Sequence, residues 1–349
     1  MKKFLAAVAI GASLVLTVGA APALADPPND RALDGTGSDT TQEVMDALSG
    51  VVVGDADGDP VTPDVLVLGN YGVTGGPITT NAQPGCTAMA RPNGSGAGRD
   101  ALAASVGGVP AAAGTPIAGP SYGSAAEACL DYARSSSGPG GTFAPGVSLT
   151  WVPFATDVVT YAYRQGGTVP KNLTFAQLQS AYKCDGLAIP VGAVNPLLPQ
   201  SGSGTRSYWI GQMGITDAAI PSCVSDKGNT VQEHNGTALT GTKEIVPFSV
   251  AQFISSQTGT TSNPLGQARL GSINGIEPIT ANSLLRTNRL VYNVVPTNTL
   301  GAGTLTSQVF SGTSSRLCGG VATIADYGFA PLTASSGSGS CGDISRVRP

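Results

Sequence analysis

The chain has 349 residues with 18 basic and 22 acidic side chains, one histidine and a net charge of −4. Only 11% of the residues are charged, and setting aside Lys2 and Lys3 near the N-terminus makes the balance more acidic, which excludes binding to nucleic acid by charge alone. The length allows two domains, and recurring blocks of Val, Ile, Leu and aromatic residues argue against disorder despite 48 Gly and 25 Pro.

Residues 1–25 read as an export signal. Lys2 and Lys3 form a basic start, Phe4 to Ala20 an apolar run, and Ala23-Leu24-Ala25 a cleavage site before Asp26. The first cysteine is Cys86, so the cleavage site has no cysteine for lipid attachment, and the expected product is secreted without an anchor. Thr40 to Leu48 predicts a helix, with Thr40 and Glu43 as a capping box and Val44, Met45 and Leu48 as its apolar face. A strand is expected over Val61 to Leu68, a helix over Ala97 to Ser105, and a small-residue helix starting at Ala125 that runs into Asp131-Tyr132-Ala133-Arg134-Ser135-Ser136. Val147 to Ala162 reads as a long buried strand pair. Leu173 to Tyr182 predicts a helix with Thr174 as its N-cap, and Thr205 to Met213 another that carries Tyr208 and Trp209. Val246 to Ser255 repeats the character of the strand pair, Leu290 to Val295 is a further strand, and residues 333–342 form a Ser/Gly-rich stapled loop. Strands alternating with helices indicate an α/β fold.

Six cysteines in an oxidising context predict disulfides. Fifteen pairings are possible. The sequential set, Cys86 with Cys129, Cys184 with Cys223 and Cys318 with Cys341, closes three local loops and is the expected one.

Chemistry is concentrated in three Ser/Gly/Thr segments, each at the start of an expected helix: Gly35 to Thr41, Gly94 to Gly98, and Ser201-Gly202-Ser203-Gly204-Thr205. Glycine lets a backbone approach a ligand closely. A helix start offers unpaired N–H donors and partial positive charge, and hydroxyls donate as well as accept. If they converge, three such loops make a cage for a small oxyanion. Enzymatic readings fare poorly. The chain has no phosphate-binding P-loop motif and no C-x-x-C, and its single imidazole, His234, the sole possible base for a serine nucleophile, reads as a solvated loop residue. No cofactor or metal is expected. Asp55, Asp57 and Asp59 have the spacing of a calcium loop, but Pro60 and Leu66 replace its glycine and glutamate, leaving an acidic turn.

These segments, with Asp131 to Ser136, Arg206 and the apolar stretches at 151–162 and 246–254, resemble the phosphate-binding receptors of ATP-driven transporters, a branch of the type II periplasmic binding proteins, and most of all their secreted Gram-positive relatives. The resemblance implies a two-lobed α/β fold with a ligand cleft between the lobes. One lobe would comprise residues 26–163 plus 246–349, the other residues 164–245. It implies a monomer that binds phosphate or a similar oxyanion and passes it to a transporter permease, with no catalysis. The ligand positions carry over to Ser38, Asp39 and Thr40, Ser95, Ser135 and Ser136, and Ser203, Gly204, Thr205 and Arg206.

The chain departs from the family pattern where Ser136 replaces an aspartate and where Pro199 and Ser201 replace an arginine and an aspartate. Arg206, Arg134 and Arg99 are candidates for the replacement positive charge, Asp39 and Asp131 for the carboxylate. The departures leave an alternative, a secreted or wall-associated interaction protein that keeps the receptor fold without phosphate binding. They also imply weaker discrimination between phosphate and sulfate than the family shows.

Overall fold

A computed structural model of the chain describes residues 26–27, 31–56, 64–80, 86–107, 123–124, 127–278, 287–332 and 339–349. The export signal at 1–25, most of the acidic turn and most of the Ser/Gly-rich loop at 333–342 lie outside these residues. The main sheet contains β1 (Leu33–Gly37), β2 (Leu68–Asn70), β3 (Tyr132–Ser135), β4 (Leu149–Arg164), β5 (Asn195–Pro196), β6 (Glu244–Ser249), β7 (Ala268–Leu270), β8 (Asn288–Pro296), β9 (Ala330–Pro331) and β10 (Val347–Arg348). The helices used below are α1 (Gln42–Ser49), α2 (Ser95–Gly107), α3 (Phe175–Lys183), α4 (Gly204–Met213) and α5 (Val250–Thr258).

The sheet is mixed, in the order β5-β6-β4-β8-β3-β1-β2, with β7, β9 and β10 also paired to β4. β1 is parallel to both β2 and β3, whereas β4 is antiparallel to β6 and β8. The expected strand pair at 147–162 is one continuous strand of 16 residues. Its first part, through Val158, pairs with β8, and Val159 to Tyr163 pair with β6. Pro153 has no N–H to give to a ladder, and the strand accommodates it at a register shift opposite Val291 and Tyr292.

β4 links separate cores. Val152, Phe154 and Ala155 pack with Met45, Leu48, Phe310 and Phe329 on one side of the sheet, and Trp151 with Leu102 and the Cys86–Cys129 region on the other. Further along, Val158, Val159 and Tyr161 join a different core with Tyr182, Trp209 and Met213. The handover falls at Asp157, which is buried in an ion pair with Arg289 at 2.8 Å. Asp157 also accepts the Ser249 hydroxyl (3.0 Å) and the Ala251 N–H (3.2 Å), so one carboxylate joins β4, β8 and the β6–α5 corner.

Several local expectations hold. Thr174 caps α3 and forms a reciprocal capping box with Gln177. All three sequential disulfides form. Others need correction. The helix expected from Ala125 gives way, in its described part, to a short strand at Glu127–Ala128 and then to β3, because residues 132–135 fill the slot between β1 and β8, and sheet pairing outweighs alanine's helix propensity. The segment at 246–255 is strand only to Ser249, whose side chain then caps α5. The expected strand at 61–68 appears, in its described part, as Val65–Leu66 followed by β2.

Candidate oxyanion site

The first Ser/Gly/Thr segment turns out of β1 at Gly37, whose φ of +126° suits glycine. A Cβ on Gly98 would lie 2.4 Å from the Gly37 Cα, so two glycines let α2 rest against the end of β1. The expected capping box at Thr40 and Glu43 does not form. α1 starts at Gln42 after Thr41, with no side-chain cap. The Thr40 hydroxyl instead donates across the molecule to Glu233 at 2.6 Å.

The second segment meets the last one directly. Gly94 has a φ of +104°, and the Gly96 N–H donates to the Gly202 carbonyl at 3.0 Å. Ser95, the first residue of α2, accepts the Ser136 N–H at 2.9 Å, and its hydroxyl lies 3.2 Å from the Ser136 hydroxyl. Ser136, at the end of β3, is the hub. It also accepts from Ser38 at 3.1 Å and lies 3.2 Å from Thr40.

Ser203 caps α4 by accepting the Arg206 N–H, and its hydroxyl donates to Glu233 Oε2 at 3.1 Å. Thr205 donates to Glu233 Oε1 at 2.9 Å. Gly204 fits between them because it has no side chain: a Cβ there would lie 2.3 Å from Ser95 Oγ and 2.4 Å from Ser136 Oγ. Four chain segments thus bring six hydroxyls together, from Ser38, Thr40, Ser95, Ser136, Ser203 and Thr205, all in buried residues.

The other expected site residues lie differently. The Ser135 hydroxyl donates to the Ser137 carbonyl at 2.8 Å and does not join the cluster. Arg206 turns to Asp217 (2.7 Å), Asp226 and the Pro199 carbonyl. Arg99 pairs with its neighbour Asp100. Arg134 is buried beneath the first loop, where it donates to the Ser38 carbonyl at 3.0 Å and the Tyr71 carbonyl at 2.9 Å, and also to Asn70. Arg289 donates to the Ser136 carbonyl at 3.0 Å while holding Asp157. Two cations therefore brace the loops from behind through backbone carbonyls.

Asp39 is buried, 3.5 Å from Gln200 Nε2 and 3.8 Å from His234 Nδ1. Burial first, and then the negative charge of Glu233, raise its pKa to about 7. For Glu233, burial works in the same direction, but it is outweighed by the charge of His234 and by hydrogen bonds from Thr40 and Asp39, with Arg289 adding to them, so its carboxyl stays below its ordinary value. Near neutrality Asp39 retains a proton more readily than Glu233 does. Asp131 instead accepts the Asp34 N–H at 2.9 Å.

Glu233 is the residue the sequence reading missed, and the solvated position expected for His234 needs correction: its side chain is only 15% exposed and faces Asp39. The sole signal was a carboxylate beside the single histidine, in a polar loop without periodicity.

Buried carboxyls elsewhere affect stability. Burial raises Asp46 to about 7, against the opposing charge of Arg134, and raises Asp131 to about 6. Between the unfolded value near 4 and these values, the native state holds protons that the unfolded chain has released, so stability falls as pH rises through this window. We expect the melting temperature at pH 5 to exceed that at pH 8 by several degrees, with Asp46→Asn removing part of the difference. Scanning calorimetry checks this, and equal or higher stability at pH 8 would contradict it.

No protein-family profile matches the chain, and no curated protein matches it in sequence. Solved structures do match in fold. A putative phosphate ABC transporter substrate-binding protein from Clostridium perfringens, with bound phosphate, aligns over 86% of this chain and 99% of its own, at 14% identity and a TM-score of 0.50. An ABC-type phosphate transport receptor from Vibrio cholerae aligns over 85% and 99%, at 16% identity and the same TM-score. The chain has the two-lobed fold of the phosphate receptors.

Proposed function

We propose that the chain is an extracytoplasmic receptor that binds one tetrahedral oxyanion, inorganic phosphate, for uptake by an ATP-driven transporter. The observation that carries this reading is the convergence of six buried hydroxyls from four segments, three of which already donate to a carboxylate. Hydroxyls braced by buried arginines stabilise an anion without placing a full positive charge on it. The cleft would lie between a lobe of residues 26–163 plus 246–349 and a lobe of residues 164–245. The three disulfides fit an oxidising compartment outside the cytoplasm. No described helix is long and apolar enough to cross a membrane.

Ser38 and Ser136 test the site cleanly, since neither hydroxyl bonds Glu233. A hydrogen bond to a charged acceptor contributes about 1.5–3 kcal/mol. Ser38→Ala and Ser136→Ala should each weaken phosphate binding by roughly tenfold to a hundredfold in calorimetric titration. Unchanged affinity in both variants would remove the hydroxyl cluster from the site. A second reading, an interaction protein that has lost phosphate binding, draws on the same Glu233 carboxylate, which occupies three of the donors.

A further inference from the structure

Glu233 lies where the bound anion is expected. Its Oε1 accepts from Thr40 at 2.6 Å and from Thr205 at 2.9 Å, and its Oε2 accepts from Ser203 at 3.1 Å. The side chain is fully buried, and among the described residues no lysine or arginine nitrogen comes within 4.0 Å of it to form an ion pair. It is held as a small oxyanion would be held, by neutral hydroxyls at loop ends and at a helix start, with Asp39 adding a side-chain hydrogen bond and His234 close to that pair. Each hydroxyl has one proton to give. Thr40, Ser203 and Thr205 can therefore serve the glutamate or a free anion, but not both. Two negative charges in one buried cluster also repel strongly. The Glu233 carbonyl accepts the Ser249 N–H at 3.2 Å at the start of α5, so the loop is tied to the sheet at this one point, and vacating the site takes the Glu233 side chain together with its immediate loop.

We propose that Glu233 is an intramolecular ligand of the oxyanion site, and that a free oxyanion binds by displacing it. This rests on the receptor reading above and adds a threshold to it. Apparent affinity is lowered by the fraction of molecules in which the glutamate has left. The receptor would then load only at anion concentrations high enough to outcompete its own side chain.

The test is calorimetric titration with inorganic phosphate of the wild-type chain, Glu233→Gln and Glu233→Ala, each stripped of ligand by unfolding and refolding. Displacement predicts at least tenfold tighter phosphate binding in Glu233→Gln. Tighter binding in the variant when the wild type gives no signal also supports displacement, while removing the receptor reading for the wild type. Equal or weaker binding in both variants would overturn displacement and leave the receptor reading intact, with the carboxylate acting as a partner of bound phosphate. No binding by any of the three would overturn both. Should the variants fail to fold, hydrogen exchange of the wild type decides. Phosphate should speed exchange across residues 232–234 while slowing it at 38–40 and 203–205. Slowing in all three segments, or no change in any, would overturn the proposal.

Discussion

Gly204→Ala is expected to reduce oxyanion affinity at least a hundredfold. The added methyl would lie 2.3 Å from Ser95 Oγ, 2.4 Å from Ser136 Oγ and 3.0 Å from Ser95 Cβ. Both hydroxyls would have to turn away, or the start of α4 would have to withdraw from the cluster. Either response separates Ser203 and Thr205 from Ser95 and Ser136. Each lost bond to an anion is worth about 1.5–3 kcal/mol, so losing two accounts for the expected effect. Alanine favours helix over glycine, which offsets part of the crowding cost of about 1–3 kcal/mol, so the variant should remain folded. Titration together with a thermal melt separates the two effects. Wild-type affinity in Gly204→Ala would show that the hydroxyls at this contact do not hold the ligand.

Arg289→Met should destabilise the protein by about 3–5 kcal/mol, the usual cost of leaving a buried charge without its partner. Arg289 makes two bonds to Asp157 Oδ2, at 2.8 and 3.2 Å, and a third to the Ser136 carbonyl. Burial raises the pKa of Asp157, and Arg289 is the chief influence opposing that rise. Removing the guanidinium would leave Asp157 to take up a proton or remain charged inside the sheet. The same substitution frees the Ser136 carbonyl, so phosphate binding should weaken as well. The double variant Asp157→Leu with Arg289→Met should recover part of the lost stability, because an apolar pair leaves no buried charge, although Ser249 and Ala251 would still lack their acceptor. Calorimetric melts of the two variants check this. A loss below about 1 kcal/mol in Arg289→Met would mean that the pair does not hold the β4 handover together.

Local chemistry was legible in the sequence wherever it depends on near neighbours. Thr174 and Gln177 are three residues apart and form the expected cap. The disulfides close short loops, and the sequential pairing follows from that. The Ser/Gly segments drew attention to Ser38, Thr40, Ser95, Ser203 and Thr205, the family resemblance added Ser136, and the fold brings these together. What the sequence concealed depends on distant partners. Thr40 and Glu43 match a capping box, yet the Thr40 hydroxyl is taken by a carboxylate 193 residues away. Arg206 directly follows the loop from Ser201 to Thr205, yet its side chain turns toward Asp217 and Asp226. Arg134 precedes Ser135 and Ser136 in an extended strand, and its long side chain passes beneath the first loop to reach carbonyls there. Of the carboxylates considered as replacements for the aspartate missing at Ser136, Asp39 lies beside the cluster and Asp131 does not.

The most direct measurement is calorimetric titration of the ligand-stripped chain with phosphate, arsenate and sulfate at neutral pH. An oxyanion receptor built on these hydroxyls should bind phosphate one-to-one, with binding weakened in Ser136→Ala. A flat response to all three anions up to millimolar concentration, from the wild-type chain and from Glu233→Gln alike, would contradict it.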